Sequence, residues 1–185
     1  MPCPATDAGS GPCALCCLSK LAISYNSGIA QRITKLSHFD SAGRARMVDV
    51  AAKLPSRREA EATVLVAMRP RVVRELRRNP KGDPLEVARL AGIMAAKRTA
   101  ELIPMCHPLP LSNIEVEARV TRQGVRIGSR VTTTAATGVE MEAMTAAAVA
   151  ALTVYDMCKA LDKGIEIREL VLRRKTGGKS GDYAR

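Results

Sequence analysis

Residues Thr137–Leu161, TGVEMEAMTAAAVAALTVYDMCKAL, constrain the fold of this chain more than any other stretch. Ala, Met, Glu and Leu dominate it, and all are strong helix formers. The stretch predicts a long helix over Gly138–Leu161. Met141, Met144, Ala148, Ala151, Leu152, Tyr155 and Cys158 recur at steps of three and four, which predicts one apolar face. Its charges are Glu140, Glu142, Asp156 and Lys159. At about 100° per residue, Glu142 and Asp156 point within about 40° of each other, yet lie roughly 21 Å apart along the axis. They cannot act as a carboxylate pair on one substrate atom. Asp156 and Lys159 are neighbours on the helix surface. They read either as a solvated ion pair or as a cooperating acid and cation.

What packs against this helix is limited by composition. Aromatic residues are 2% of the chain, with no Trp, so the core must come from Ala, Val, Leu, Ile and Met. The 185 residues suffice for one domain of ordinary size. Lys20, Arg32 and Lys35 against Asp7 leave +2 on residues 1–35, so residues 36–185 carry +9 of the net +11. That excess favours a polyanionic partner: nucleic acid, a nucleotide phosphate chain or an acidic surface. Scarce aromatics count against single-stranded nucleic acid, whose bases stack on rings. No apolar run approaches the length of a transmembrane span, and no basic n-region marks a signal peptide. Six Cys then read as reduced thiols in a cytoplasmic protein.

Residues 1–35 hold Cys3, Cys13, Cys16 and Cys17 among Gly, Pro and Ser, without sustained periodicity. They read as a disordered extension, and residues 36–185 as a single domain. A metal site at Cys13-Ala-Leu-Cys16-Cys17 is weakly signalled, since no second pair or His follows at fixed spacing. His38 reads as a surface or satisfied loop histidine. Ala60, Ala62, Val64, Val66 and Met68 alternate as in a strand. Pro70 suits the first turn of a short helix. Asp83, Pro84 and Glu86 form a capping-box start for a helix of about five turns, ending before Pro104. Ile114, Val116, Ala118 and Val120 alternate with Glu115, Glu117 and Arg119 in a second strand. Gly124–Thr134 returns as a hairpin with Val125, Ile127 and Val131 inward, and GIEIRELVLRRK reads as a last strand.

Three places carry candidate chemistry. Lys81 lies on a turn just before a helix N-terminus, where backbone N–H groups favour anions. Cys106 and His107 lie on a loop stiffened by Pro104, Pro108 and Pro110. Adjacent residues on extended chain point apart, so a catalytic dyad is disfavoured, and a zinc site would need distant Cys. Substrate contact and a structural role both fit. Lys175–Arg185, KTGGKSGDYAR, lacks the Gly of a phosphate-binding P-loop at the position occupied by Arg173. It reads either as a flexible tail or as a segment that closes over phosphates.

LIPMCHPLPLS, TGVEMEAMTAAAVAALTVYDMCKA and KTGGKSGD, with MVDV and the KGD turn, together resemble the molybdenum cofactor biosynthesis protein C family of cyclic pyranopterin monophosphate synthases. The resemblance spans roughly Leu36 to Tyr183 and leaves residues 1–35 outside. It implies an α+β fold of ferredoxin-like type, with an antiparallel sheet packed against helices. It also implies a cytoplasmic homohexamer, a trimer of dimers, with active sites at subunit interfaces. The implied substrate is 3′,8-cyclo-7,8-dihydroguanosine 5′-triphosphate from an upstream radical SAM enzyme. The implied products are cyclic pyranopterin monophosphate and pyrophosphate, which makes the chain a phosphorus–oxygen lyase. Asp156, Lys81 and Lys159 fall on the family's catalytic positions. Met105, Cys106, His107, Met141 and Glu142 match its substrate-binding segments, and Glu140, Arg58 and Lys175 residues in or near its pocket. A lysine with lowered pKa would suit the proton transfers. No resident cofactor or metal is expected, apart from Mg²⁺ carried on the triphosphate. A nucleic-acid-binding module, resting on the charge, and a catalytically silent oligomeric partner are the competing readings.

Overall fold

The computed structural model describes residues 38, 40, 42–78, 80 and 82–185, the side chain of Arg77 excepted. The expectations for residues 1–35, including the Cys13–Cys17 metal reading, and for Lys81 lie outside the described residues.

The central strand, β1 (Ser56–Ala67), places Ala60, Ala62, Val64 and Val66 on one face, each no more than 1% exposed. Proline-led α1 (Pro70–Glu75) and a 3-10 turn (Leu76–Arg78) follow. Then come α2 (Pro84–Lys97), α3 (Thr99–Leu102), β2 (Leu111–Thr121), β3 (Gly124–Ala135), α4 (Glu140–Cys158), β4 (Glu166–Thr176) and the two-residue β5 (Tyr183–Ala184). The five strands form one antiparallel sheet in the order β2-β3-β1-β4-β5. Helix α4 lies across β1, β3 and β4, while α2 packs on β2 and along α4. The architecture is α+β, with helices on an antiparallel sheet.

The long helix forms as the composition requires, but its buried face matches the expected stripe only in part. Ala143, Ala146, Ala147, Ala150, Ala151 and Val154 are fully buried, whereas Met141 and Leu152 are 40% and 57% exposed. Between a sheet and a second helix small side chains fit at the closest approach, so Met141 and Leu152 turn outward, while Ala151 and Cys158 of the expected stripe are buried and Met144 and Tyr155 pack against the core. Gly92 of α2 is part of the same contact: a Cβ there would stand 2.9 Å from the Ala146 carbonyl oxygen. Ser129 Oγ donates to the Ala143 carbonyl at 2.7 Å and ties β3 to α4.

Other boundaries differ for local reasons. Asp83 caps α2 by accepting the Leu85 N–H at 2.9 Å, but Glu86 pairs with Arg89 instead of closing a capping box. The expected five-turn helix breaks at Arg98, whose ψ is 13°. There Thr99 Oγ1 donates back to the Ala96 carbonyl at 3.0 Å, which satisfies the chain end and starts a separate turn. Val120, expected inward, is 43% exposed on the outermost strand. The basic tail is no free segment, because Tyr183 and Ala184 pair back on Lys175 and Arg174.

Candidate functional site

One cavity of about 620 Å³ opens where the ends of several elements meet. The start of β1 supplies Arg58, and the loop after α3 supplies Met105, Cys106 and His107. The first turn of α4 supplies Glu140, Met141 and Glu142. The segment before β1 brings His38, Val48, Val50 and Lys53, and the β4–β5 turn brings Lys179 and Ser180.

Local structure holds several of the expected pocket residues. Arg58 donates from Nε and Nη2 to the carbonyls of Ala135 and Ala136 at 3.1 and 3.2 Å, at the end of β3. A turn in which the Cys106 N–H donates to the Ile103 carbonyl aims the Met105–His107 loop, and Thr133 Oγ1 anchors its far end through the Pro110 carbonyl at 2.6 Å. Lys175 does not line the cavity itself. Its Nζ donates to Glu140 Oε1 at 3.0 Å and so joins the site from β4.

Glu142 is the buried carboxyl of the site, 3% exposed. Desolvation pushes its pKa up; its own backbone N–H opposes the shift, and the charge of Glu140 adds to it. Burial also raises the pKa of the Cys106 thiol, with the charge of Glu142 acting in the same direction. Cys106 is therefore held as a thiol, which suits substrate contact better than nucleophilic attack.

The catalytic candidates Asp156 and Lys159 are elsewhere. They leave the far end of α4, exposed, with Lys159 Nζ 2.6 Å from Asp156 Oδ1. The hydrogen bond and charge of Asp156 raise the Lys159 pKa, opposite to the lowered lysine pKa expected for a base. Among the described residues, Lys159 is a fixed cation.

Sequence reading does not single out several contributors. His38 was assigned to the surface or to a satisfied loop, yet it lines the cavity with a buried Nδ1 that has no hydrogen-bond partner among the described residues. Lys53 carries no local signal. Lys179 and Ser180 belong to the Gly-rich tail, whose turn chemistry was the available signal. Among the described residues, no group of three or more His, Cys, Asp or Glu side chains could hold a metal, and no helix is long and apolar enough to cross a membrane.

An α+β chain with a cavity at the strand ends, lined by carboxyls, cations and apolar side chains together, has the form of a small-molecule site. The chain belongs to the MoaC family, whose family model matches residues 47–178. It is 55% identical over 157 residues to a Thermomicrobium roseum protein named cyclic pyranopterin monophosphate synthase, covering 83% of this chain and 95% of that protein. Proteins of the same name from Roseiflexus sp. and Heliobacterium modesticaldum are 54% and 55% identical, and cover 82% and 81% of this chain and 98% and 97% of their own lengths.

Proposed function

We propose that this chain is a cyclic pyranopterin monophosphate synthase acting in molybdenum cofactor biosynthesis. The observation that carries the reading is the convergence of Arg58, Met105–His107 and Glu140–Glu142 on one cavity, in a chain this similar to proteins of that name. The substrate is 3′,8-cyclo-7,8-dihydroguanosine 5′-triphosphate, supplied by a radical SAM enzyme. Glu142 and the Cys106–His107 loop recognise the purine-derived ring. In the lyase step, a sugar-derived hydroxyl oxygen bonds to the α-phosphorus while the bond to the bridging oxygen breaks. Pyrophosphate leaves with the electron pair, and the hydroxyl proton passes to a base. Asp156 exchanges protons, and Lys81 and Lys159 supply positive charge. The only metal in this scheme is Mg²⁺ carried by the triphosphate.

The separation of cavity and Asp156 along α4 supports a site shared between two chains. The helices carry exposed apolar side chains away from the cavity: Val87, Leu90 and Met94 of α2 and Leu152 of α4 are each at least 40% exposed. Covering such surface with a second copy fits a homohexamer built as a trimer of dimers. The β-α-β-β-α-β order of the main elements suits the ferredoxin-like type, and a cytoplasmic location suits the pathway. The test supplies purified chain with the cyclised triphosphate and follows pyrophosphate release and pterin formation. Turnover by the wild type and its loss in Lys81→Ala are expected. A folded oligomer that binds without turnover would overturn the reading in favour of a silent partner.

A further inference from the structure

We propose that the open face of the sheet carries a second ligand site, a cavity formed around Arg126, Arg173 and Arg185 that takes a diphosphate group. This goes beyond the synthase reading and does not depend on it, because the cavity shares no lining residue with the one described above.

The face follows from strand alternation. Ala60, Ala62, Val64 and Val66 of β1 turn toward the helices, so Glu59, Glu61 and Thr63 turn the other way. The register brings Arg126 and Arg130 of β3 and Arg168 and Arg174 of β4 to the same side. On this face arginines are matched to carboxylates: Arg57, Arg119, Arg126, Arg130, Arg168 and Arg174 each stand within 4.0 Å of a Glu oxygen. Arg173 and Arg185 are the exceptions, with no ion pair among the described residues. Both line one cavity of about 530 Å³, together with Thr63, Arg126, Glu169 and Val171. That volume falls in the range of small-ligand sites, roughly 300–1,000 Å³.

The backbone of β4 is irregular at this place. Glu61 and Ala62 pair with Arg174 and Leu172, which leaves Arg173 as an extra residue. Thr63 and Leu65 pair with Val171 and Arg168, so Glu169 and Leu170 stand against Val64 alone. Such bulges re-aim the side chains they carry. Glu169 has a φ of 54°, the one positive φ outside glycine among the described residues, and strained backbone of this kind concentrates at ligand sites. The Arg185 N–H donates to the Arg173 carbonyl at 2.9 Å, which sets the two unmatched arginines side by side.

The charge of the cavity selects its ligand. Three guanidinium groups face one carboxylate, and Glu169 Oε2 stands 3.5 Å from Arg126 Nη2, too long for a good hydrogen bond. Two positive charges are left over, on groups whose planar forks fit phosphate oxygens. A diphosphate supplies matching charge and enough oxygens for more than one fork. No aromatic ring lines the cavity to stack a base, so the phosphates are what it reads.

The test measures pyrophosphate binding by calorimetry to the full chain and to Arg173→Gln, Arg185→Gln, Glu169→Gln and Arg122→Gln. Arg122 is exposed in the β2–β3 turn and lines neither cavity, so its substitution removes the same charge elsewhere. Arg173→Gln and Arg185→Gln should each weaken one site by about tenfold, the loss of one charge-assisted contact. Glu169→Gln should tighten it roughly threefold, by freeing Arg126 and removing a repelling charge. Arg122→Gln should stay within about twofold. A gain in affinity cannot come from a damaged fold, and circular dichroism checks the two arginine variants, whose side chains are exposed. No pyrophosphate binding by the wild type, binding that neither arginine variant weakens, or equal weakening by Arg122→Gln overturns the proposal.

Discussion

Glu142 and Asp156 stand on the same helix but in different surroundings: Glu142 is buried in the cavity, and Asp156 is exposed at the other end of α4, 2.6 Å from Lys159. A helix is rigid on this scale, so one chain cannot bring both to the same substrate atom. Either only one of them acts at a given site, or each site takes Glu142 from one chain and Asp156 from another.

Mixed assembly decides between these. Glu142→Gln and Asp156→Asn alone should each lower kcat/KM by about 100-fold or more. Co-expressed, they should recover about a quarter of wild-type activity, because random pairing leaves some two-chain sites with both native residues. Activity of the mixture no higher than that of either variant would mean that both residues do not serve one shared site.

The same carboxyl makes a stability prediction with a definite sign. Burial raises the folded pKa of Glu142 above its ordinary value of 4.5. The protonated form is then favoured by folding, so its contribution is present below about pH 4.5 and is lost as pH rises through the folded pKa. Glu142→Gln, which cannot ionise, should melt at a higher temperature than wild type at neutral pH. The gap should close toward pH 4. A lower melting temperature for the variant at pH 7 would show that the charge is compensated.

The exposed apolar face of the helix layer predicts an oligomer. Leu90 is 50% exposed on α2, away from the cavity lining. Leu90→Glu should shift the sedimenting species to smaller mass and lower activity at least tenfold, by placing an unpaired charge in a covered contact. Unchanged mass and activity would leave that face solvent-facing.

Much of this was legible from the chain, and the failures share a cause. Long or strictly alternating signals survived: the helix over Thr137–Leu161, the inward Val125, Ile127 and Val131, and the Met105–His107 loop. The buried face of the long helix was legible only in part: Ala151, Cys158, Met144 and Tyr155 face the core, but periodicity ranks Met141 and Leu152 above Ala143, Ala146, Ala147 and Ala150, whereas close packing against β1 and α2 selects Ala. Lys53 and His38 were invisible as site residues because the cavity is assembled from strand ends distant in sequence. For Lys179 the sequence leaves tail and phosphate-closing segment both open, because the hairpin that fixes it depends on a two-residue strand.

The closeness of α2 and α4 can be tested at Gly92. Replacing a helix-interior glycine by alanine ordinarily stabilises by about 1 kcal/mol. Here the new Cβ would meet the Ala146 carbonyl oxygen at 2.9 Å and both methyls of Val116 at 3.2 Å, closer than packed carbons tolerate. Overpacking costs typically about 1–3 kcal/mol, and the obstructing atoms are backbone on one side and the buried Val116 side chain on the other. The steric term should outweigh the propensity gain. Gly92→Ala is expected to be destabilised by about 1 kcal/mol, lowering the melting temperature by roughly 2–4 °C in a chain of this size. The shift should appear without loss of cavity chemistry, since Gly92 does not line the site. A rise in melting temperature would mean that α2 can move off α4 at little cost, and that the alanine face does not hold the two helices at a fixed distance.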